Sequence, residues 1–341
     1  MVKLSPDGEV LYSTFLGGAG TDEGYGLELD EAGGAYVAGP TSSKNFPGQT
    51  TTRDVHGFDA FVAHVRPGHA DSLRSVVFGG SKDERLTGIA ADHSGGIYAV
   101  GTSSSPDFLT LEAHVNGFSG ASKMFLTRLD KATLQPTFSR LFGGSGDDSG
   151  WGITVNNKGD VIVAGTTNSP DLPGSVTGFQ NSRQGATDAF IAKFSSRNRG
   201  EVTTTYLGGK GEDTSGSDGD DIKVDRRGNI WVAGSTASPD FPLLNALHTE
   251  NFGKRDGFVA ALSSDLSKLC YGTYLGEPGG GALEGLDLSP DNTSVATTGF
   301  SFTDPIGITS FVDPKSLRVF RLNGAAVHAV VFEFKPHLRC R

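Results

Sequence analysis

The stretch LFGGSGDDSGWGITVNNKGDVIVAGTTNSPDLP, residues 141–173, followed by TDAFIAKF at residues 187–194, indicates the fold of this chain. Its short apolar runs are separated by clusters of Gly, Asp, Ser and Pro, which is the pattern of β-strands joined by turns. The run that ends in a glycine pair recurs, with its first glycine at positions 17, 79, 143 and 208, and a degenerate fifth copy, TYLGE, has its glycine at 276. The intervals of 62, 64, 65 and 68 residues predict five copies of one structural unit.

Each unit repeats four apolar runs in the same order. The innermost strand is predicted at residues 25–30, 87–92, 151–156, 220–225 and 284–289. The second strand is the VAG-type run, the third is the DAFVAHV-type run, and the fourth carries the glycine pair. A four-stranded antiparallel sheet cannot bury both of its faces alone, so units of this size stack radially.

We therefore predict an all-β fold, a single five-bladed β-propeller of four-stranded antiparallel blades that spans residues 1–341. The predicted blade units cover approximately residues 19–80, 81–144, 145–209, 210–277 and 278–341. The last unit ends after its third strand, whereas the chain opens with a fourth-type strand at residues 9–18. The N-terminal strand is thus predicted to complete the last blade and to close the ring.

The glycine pair, acidic turn, VAG strand, SPDFP turn and DAFVAK strand occur in fixed order, and in this they resemble the SBBP family, a β-propeller repeat. The resemblance covers residues 9 to about 300 and departs in the fifth unit, where residues 300–327 lack the SPDFP turn. It implies the propeller fold and a secreted or surface location, although no signal peptide is present in this chain. It implies no particular chemistry, because a fold does not by itself define a function.

Composition narrows the classes of partner. The net charge of −10 would repel a phosphate backbone, so we expect no nucleic-acid partner. No apolar run is long enough to span a bilayer. Cys270 and Cys340 are too few for a disulfide framework and lack the spacing of a metal site, and one disulfide between them stays open.

In a propeller the second-to-third loops and the fourth-to-first turns share one face, the top face. The second-to-third loops are long, for example residues 41–58 and 235–255, and long loops on a rigid scaffold often carry binding residues. An acid precedes four innermost strands, at Asp22, Glu84, Asp148 and Asp213. These carboxylates either cap the backbone of a tight turn or form a ring that attracts a cation. The candidates for calcium are Asp213, Asp218 and Asp220; apart from this ion we expect no cofactor.

The first residue of each predicted innermost strand, followed by glycine in four of the five units, differs in every unit: Tyr25, Thr87, Trp151, Asp220 and Glu284. Around a channel these side chains would form one asymmetric pocket with aromatic walls and carboxylates, or they reflect drift where packing is permissive. Tyr25, Thr87 and Trp151 are the predicted ligand-binding residues, together with Arg85 and Lys254 on top-face loops. The predicted acid/base residues are Glu284, Asp220, His56, His114 and His248.

Two functions follow from these residues. The first is small-molecule binding at one asymmetric top-face site, with an apolar or unsaturated ligand and, if there is catalysis, a cofactor-free cyclase, isomerase, lyase or pericyclase reaction. No GxSxG, HExxH, P-loop or Rossmann motif is present, which argues against common hydrolases and nucleotide-dependent enzymes. The alternative is a protein- or glycan-interaction module without catalysis. A closed aromatic pocket favours the first function, and a flat solvated face favours the second.

Overall fold

The computed structural model is all-β and describes residues 1–49, 55–68, 73–92, 94–111, 119–197, 201–216, 221–252, 254–276, 280–301, 317–322, 328–336, 338 and 340. Antiparallel strands form nearly all regular structure in these ranges, and the only helix within them is one 3-10 turn, Ser175–Thr177. The predicted fold class is confirmed at this level: the sheets are antiparallel, and most have four strands.

The chain divides into two compact units, residues 1–118 with 125–141 and residues 119–124 with 142–341. The first unit contains an N-terminal hairpin, sheet 1 and nearly all of sheet 2. Its strands are β1 (Val2–Leu4) and β2 (Val10–Ser13) in the hairpin; β3 (Gly26–Leu29), β4 (Ala35–Thr41), β5 (Asp59–Val65) and β6 (Arg74–Phe78) in sheet 1; and β7 (Glu84–Ala91), β8 (Gly96–Ser103), β9 (Lys123–Asp130) and β10 (Pro136–Phe142) in sheet 2. Both sheets keep the strands in chain order from inner to outer edge.

The second unit contains sheets 3, 4 and 5. Its strands are β11 (Asp148–Val155), β12 (Val161–Thr167), β13 (Asp188–Phe194) and β14 (Val202–Leu207) in sheet 3; β15 (Asp213–Ser215), β16 (Ile222–Val224), β17 (Ile230–Thr236), β18 (Asp256–Leu262) and β19 (Leu269–Leu275) in sheet 4; and β20 (Gly281–Leu288), β21 (Val295–Ser301), β22 (Leu317–Leu322) and β23 (His328–Phe334) in sheet 5. In sheet 4 two short strands, β15 and β16, share the inner position beside β17.

The last sheet differs from the prediction. Its order is β20-β21-β23-β22, so β22 occupies the outer position that we assigned to the N-terminal strand. That strand, β2, pairs instead with β1, and the register joins Lys3 to Tyr12. Ring closure by residues 9–18 is therefore not confirmed, and the single five-bladed propeller over residues 1–341 stays a prediction. The sequence missed β22 because residues 302–327 do not follow the repeat pattern on which the strands were assigned.

Within each unit, neighbouring sheets pack face to face through apolar side chains. In the first unit one buried cluster combines Val62 of sheet 1 with Leu86, Ile97 and Phe125 of sheet 2. Another cluster, in the second unit, likewise joins residues of sheets 3 and 4. The third strands β5 and β18 are buried along their whole length, which explains their continuous apolar sequence. This stacking is the arrangement that the repeat predicts for propeller blades.

A disulfide in the second unit joins Cys270 in β19 to Cys340. The two cysteines are 70 residues apart in sequence, so the bridge ties the last described residue to the outer strand of sheet 4. The sequence alone left this pairing open.

A β-bulge interrupts the innermost strand at the position where the five units differ. The register between first and second strands shifts at Thr87 in sheet 2, at Trp151 in sheet 3 and at Glu284 in sheet 5. The strands therefore begin three residues earlier than predicted, at Glu84, at Asp148 and at Gly281 respectively. The prediction was wrong because a bulge adds one residue and breaks the period-2 alternation that marks a strand.

The glycine of each VAG-type run is explained by a close approach of two backbones. A Cβ at any of these five glycines would lie only 1.9 to 2.2 Å from a backbone carbonyl oxygen in, or just before, the adjacent innermost strand. The five positions are Gly39, Gly101, Gly165, Gly234 and Gly299. The close approach of two backbones excludes every side chain at this point, so the repeat keeps the glycine while the bulged residue varies.

Candidate functional site

Each sheet has two distinct ends, and candidate sites are named by them below. The second-to-third loop and the entry to the innermost strand lie at one end, called the loop end. The first-to-second and third-to-fourth turns lie at the other, called the turn end, because successive antiparallel strands reverse direction. The loop end corresponds to the predicted top face.

The acids before the innermost strands cap backbone at the loop end. In each case a carboxylate oxygen accepts the N–H of the residue four positions earlier, at 2.7 to 3.0 Å. The acids are Asp22, Glu84, Asp148 and Asp213. Each also accepts a hydroxyl from the end of the second strand or the loop after it, as Glu84 does from Ser103 at 2.7 Å. At least one oxygen of each carboxylate thus accepts protein donors, as the capping alternative expects.

The SPDFP-type turn completes the same network. Its serine hydroxyl accepts an N–H of the glycine-pair turn at 2.8 Å: Ser105 accepts from Lys82 in sheet 2, and Ser169 accepts from Gly146 in sheet 3. A Cβ on Gly80 would lie 2.2 Å from the Ser105 Cβ. The second glycine of the pair is therefore required by the turn that folds over it, and the motif order of the repeat reflects one hydrogen-bonded unit.

Buried acids from neighbouring sheets also face each other at the loop end. A Cβ built on Gly79 would lie 2.2 Å from both Asp59 Oδ1 and Glu84 Oε2, so these oxygens are within about 4.4 Å of each other. Asp188 and Asp213 both lie beside Gly208, and burial, together with the charge of Asp213, raises the pKa of Asp188. At the corresponding place between sheets 2 and 3, the ammonium of Lys123 lies 3.0 Å from Asp148.

The calcium prediction stays open on this arrangement. Burial is also the main cause that raises the pKa of Asp213, and one of its oxygens accepts bonds from Gly209 and Ser238. Asp218 and Asp220 lie outside the described residues. Within the ranges that are described, no three His, Cys, Asp or Glu side chains are arranged to hold a metal ion.

The predicted ligand-binding residues at the bulge have different surroundings. Thr87 is buried and its hydroxyl donates to the Val100 carbonyl at 3.3 Å, whereas the half-buried Trp151 donates from Nε1 to the Thr166 hydroxyl at 3.0 Å. Glu284 is half-buried at the bulge of sheet 5. These hydrogen bonds occupy the polar atoms of Thr87 and Trp151 and leave the indole ring as the part of Trp151 that can contact a ligand.

Tyr25 and Arg85, both predicted from the sequence, come together in the first unit. The Arg85 guanidinium donates to the Tyr25 hydroxyl at 2.8 Å and lies 5.5 Å from the centre of its ring. The Tyr25 hydroxyl in turn donates to the Glu23 carboxylate at 2.7 Å, and that bond and burial raise the pKa of Tyr25. Glu23 lies 3.4 Å from Arg85 and was missed by the sequence analysis. Its position two residues before Tyr25, at the start of the predicted innermost strand, is the signal that could have identified it.

The predicted histidines have different surroundings as far as they are described. His56 is exposed, and His114 falls outside the described residues. His248 is buried, and burial lowers its pKa, so the imidazole is neutral at pH 7. Its carbonyl accepts the N–H of Tyr274 in β19, the outer strand of sheet 4.

The long second-to-third loops explain that placement. They run along the outer strands of their sheets, where Gly48 bonds to Ser75 in β6 and Gly174 bonds to Thr204 in β14. An uncovered outer strand would present unpaired N–H and C=O groups to other chains, and these loops satisfy part of that edge. Much of their length therefore covers the blade edge. Lys254 is exposed near the start of β18.

Two cavities of the second unit lie at the turn end, opposite to the predicted face. One of about 490 Å³ lies among the turns at residues 154–158 and 224–228, with Ser264 and Asn292 in its wall. The other, of about 760 Å³, shares Arg226 and Arg227 with the first. Sequence analysis missed Lys158, Arg226 and Arg227. A comparison of the first-to-second turns between units would have identified them.

These sheets define a protein of the β-propeller class, since four-stranded antiparallel sheets stacked face to face are the blades of that fold. Residues 11–47 match the sequence model of SBBP, described as a beta-propeller repeat, so the chain carries this repeat as the resemblance implied. No curated protein sequence matches the chain. Within the described ranges, no helix is both long and apolar enough to cross a membrane.

Solved structures with a similar fold share little sequence with the chain. An ulvan lyase of polysaccharide lyase family PL25 is 10% identical, with 92% of this chain and 73% of that chain covered and a TM-score of 0.44. The hydrazine synthase of Kuenenia stuttgartiensis is 10% identical, at 85% and 78% coverage and a TM-score of 0.39. A puromycin-hydrolyzing peptidase of Mycobacterium tuberculosis is 14% identical, at 89% and 42% coverage and a TM-score of 0.40. These identities and TM-scores are too low to assign any of these activities to this chain.

Proposed function

We propose that the chain binds a small unsaturated molecule with a carboxylate at the loop end of the first unit, through Tyr25 and Arg85. The observation that supports this proposal is their contact at 2.8 Å, at the position where the repeats diverge. The capping acids and motif glycines are used by the fold, whereas no turn or strand of sheets 1 and 2 requires this tyrosine and arginine. A site is expected where local residues exceed what the scaffold needs.

The three side chains offer complementary chemistry. The aromatic face of Tyr25 stacks on a planar ligand, and the guanidinium of Arg85 pairs with a carboxylate in a bidentate manner. The Arg85 side chain is 58% exposed, so a ligand reaches it without opening the core. Glu23 holds Arg85 in place before binding, and the ligand carboxylate replaces this exposed partner. Replacing Glu23 costs little free energy, because solvent already screens this exposed ion pair.

A thermal-shift titration of the full chain with cinnamate tests the proposal, with cinnamyl alcohol as the matched ligand that lacks the carboxylate. A ligand at a hundredfold excess over its Kd stabilises the native state by about 2.7 kcal/mol. We expect cinnamate to raise the melting temperature of the native protein, with a smaller effect for the alcohol. Tyr25→Ala and Arg85→Gln should each abolish the shift, and Lys82→Gln, an exposed neighbour, should keep it.

The result that rejects this function is equal stabilisation of the native protein and both variants, or none by either ligand. If cinnamate binds, the same samples report on turnover by a cofactor-free cyclase, isomerase or lyase reaction, for which His56, an exposed residue of the first unit, is a candidate. Loss of product formation in His56→Gln with binding retained would assign it an acid/base role.

A second candidate function, binding of a protein partner, is favoured by exposed apolar side chains in the first unit. Phe15 is fully exposed, and Leu27 and Leu29 of β3 are 58% and 65% exposed. Large exposed apolar side chains are enriched at interaction sites. Light scattering of the full chain at rising concentration tests whether that surface joins two copies, and Leu27→Lys with Leu29→Lys should then restore the monomer.

A further inference from the structure

The 490 Å³ cavity at the turn end of the second unit has a basic wall that the fold does not explain. It lies between the first-to-second turns of sheets 3 and 4, and its cationic side chains are Lys158, Arg226 and Arg227. Its volume falls within the range of small-molecule sites, which is roughly 300 to 1,000 Å³. The cavity is separate from the proposed Tyr25 site, which belongs to the first unit.

The turns that form this wall need only their first and fourth residues. The first residue accepts the N–H groups two and four positions later, as Asp225 does from Arg227 and Asn229 at 2.8 and 2.9 Å. The fourth residue has a positive φ, 87° at Gly228, which glycine adopts without strain. The second and third residues are therefore free to vary.

Sheets 1 and 5 carry no lysine or arginine at the corresponding turn positions. In sheet 1 the second and third residues are Glu31 and Ala32, and Asp30 accepts the same pair of N–H groups. Sheet 5 has Pro290 and Asp291 at these positions. The cationic residues therefore add nothing that the turn requires. Their presence in neighbouring turns of sheets 3 and 4 concentrates positive charge in one cavity of a chain whose net charge is −10.

These cations have no anionic partner among the described residues. The ion pairs found there do not include Lys158, Arg226 or Arg227. The nearby carboxylate of Asp225 is buried, and its oxygens accept two backbone N–H groups and the side chains of Asn229 and Trp231. Asp225 thus stabilises the turn, and the guanidinium groups are available to an external anion.

We propose that this cavity binds a sugar acid, a hydroxylated ring that carries an oxyanion. Guanidinium groups bind carboxylate or sulfate oxygens with two parallel hydrogen bonds, which suits the paired Arg226 and Arg227. The rest of the wall supplies neutral hydrogen-bonding groups for ring hydroxyls, among them the Asn157 amide and the Ser264 hydroxyl. Two sources of the oxyanion, a sugar acid and a free inorganic anion, share this chemistry and are distinguished by the test.

Isothermal titration calorimetry of the full chain, with galacturonate, galactose and inorganic sulfate as probes, tests the site. We expect galacturonate to bind at least about tenfold more tightly than galactose, because hydrogen bonds to charged groups contribute about one tenfold step or more each. Arg226→Gln and Arg227→Gln should each weaken galacturonate binding about tenfold or more. Arg66→Gln removes the same charge from an exposed turn of sheet 1 and should leave binding unchanged.

Unfolding midpoints provide the second readout. Because the turn does not use either arginine side chain, both variants should unfold at the same denaturant concentration as the native protein, so loss of binding is not loss of folding. Sulfate that binds as tightly as galacturonate would identify the site as one for a free oxyanion. The proposal is overturned if no anion binds at millimolar concentration, if galactose binds as well as galacturonate, or if Arg66→Gln weakens binding as much as the cavity variants.

Discussion

The buried ion pair between Lys123 and Asp148 provides the sharpest test of how neighbouring sheets are joined in the second unit. The Lys123 side chain is 3% exposed and that of Asp148 is fully buried, with 3.0 Å between Nζ and Oδ2. Asp148→Asn keeps the shape of the side chain and removes its charge. The ammonium then stays buried with the Gly146 carbonyl as its remaining described acceptor. We expect a large loss of stability.

The magnitude follows from the distance and the burial. At 3.0 Å and an effective dielectric constant of about 20, the Coulomb energy of the pair is roughly 5.5 kcal/mol. Removal of one partner of a buried pair costs about 3–5 kcal/mol, because the remaining charge lacks both its partner and its hydration. Lys123→Met should cost less, about 1–3 kcal/mol, because Asp148 still accepts bonds from Gly144, Thr167 and Ser169.

Urea unfolding followed by tryptophan fluorescence measures these losses, since both tryptophans belong to the second unit. At a slope of about 3 kcal/mol per molar, Asp148→Asn should lower the midpoint by about 1 M or more. The double variant Lys123→Met with Asp148→Asn should be more stable than Asp148→Asn alone, since no charge stays buried. Lys210→Met is the matched control: its partner Asp240 is 3.3 Å away, but the lysine is 84% exposed, so the change should stay within about 1 kcal/mol.

Equal midpoints for Asp148→Asn and the native protein would refute this reasoning, since a buried, unpaired ammonium cannot be without cost. A double variant less stable than either single variant would also refute it, because the two side chains would then act on the fold independently of their pairing.

Three further changes test other parts of the structure. Hydrogen bonds from Arg128 and two backbone N–H groups outweigh burial and lower the pKa of Asp92 to about 2. Because this folded-state pKa is below the unfolded value, the ionised carboxylate stabilises the fold above about pH 4, and this stabilisation is lost as the pH falls towards 2. Asp92→Asn should therefore make the free energy of unfolding less dependent on pH in that range. Cys340→Ser opens a loop of 70 residues and should lower the stability of the oxidised protein by about 4 kcal/mol, while thiol titration of the native protein should find no free cysteine. Gly165→Ala would place a Cβ 2.2 Å from a carbonyl oxygen and should cost at least about 2 kcal/mol in thermal unfolding, whereas Gly24→Ala, with its nearest atom at 3.5 Å, should cost less than about 1 kcal/mol.

The repeat made the strands predictable and the bulge made their starts unpredictable. Third strands such as β13 and β18 lie within the predicted runs because continuous burial gives a continuous apolar sequence. The innermost strands of sheets 2, 3 and 5 were predicted to begin too late, because each contains one extra residue at a bulge: Thr87, Trp151 or Glu284. The VAG glycine marks that bulge. The physical reason for this glycine is that a carbonyl oxygen would lie about 2 Å from any added Cβ. This contact can be recognised only from the positions of both strands in the structure.

The candidate site was predictable only in part for the same reason. Tyr25 and Arg85 could be chosen separately, because one lies at a divergent position and the other is a cation in a predicted loop. Their hydrogen bond joins residues 60 positions apart. Glu23 was recognised as part of the site only because it accepts the Tyr25 hydroxyl in the structure. His248 illustrates the opposite outcome: its loop covers the outer strand of sheet 4 and buries the imidazole.

By itself the sequence determined what local interactions encode: short strands, Asp- and Gly-dependent turns, the repeat and the all-β class. Each of these depends on residues within a few positions of one another, where alternation, turn geometry and glycine's conformational range act directly. Tertiary structure alone decided the order of strands in sheet 5, the Lys123–Asp148 pair, the Cys270–Cys340 disulfide and the basic cavity beside Arg226. These contacts join residues far apart in sequence, and they depend on strand register and sheet packing, which no local pattern records.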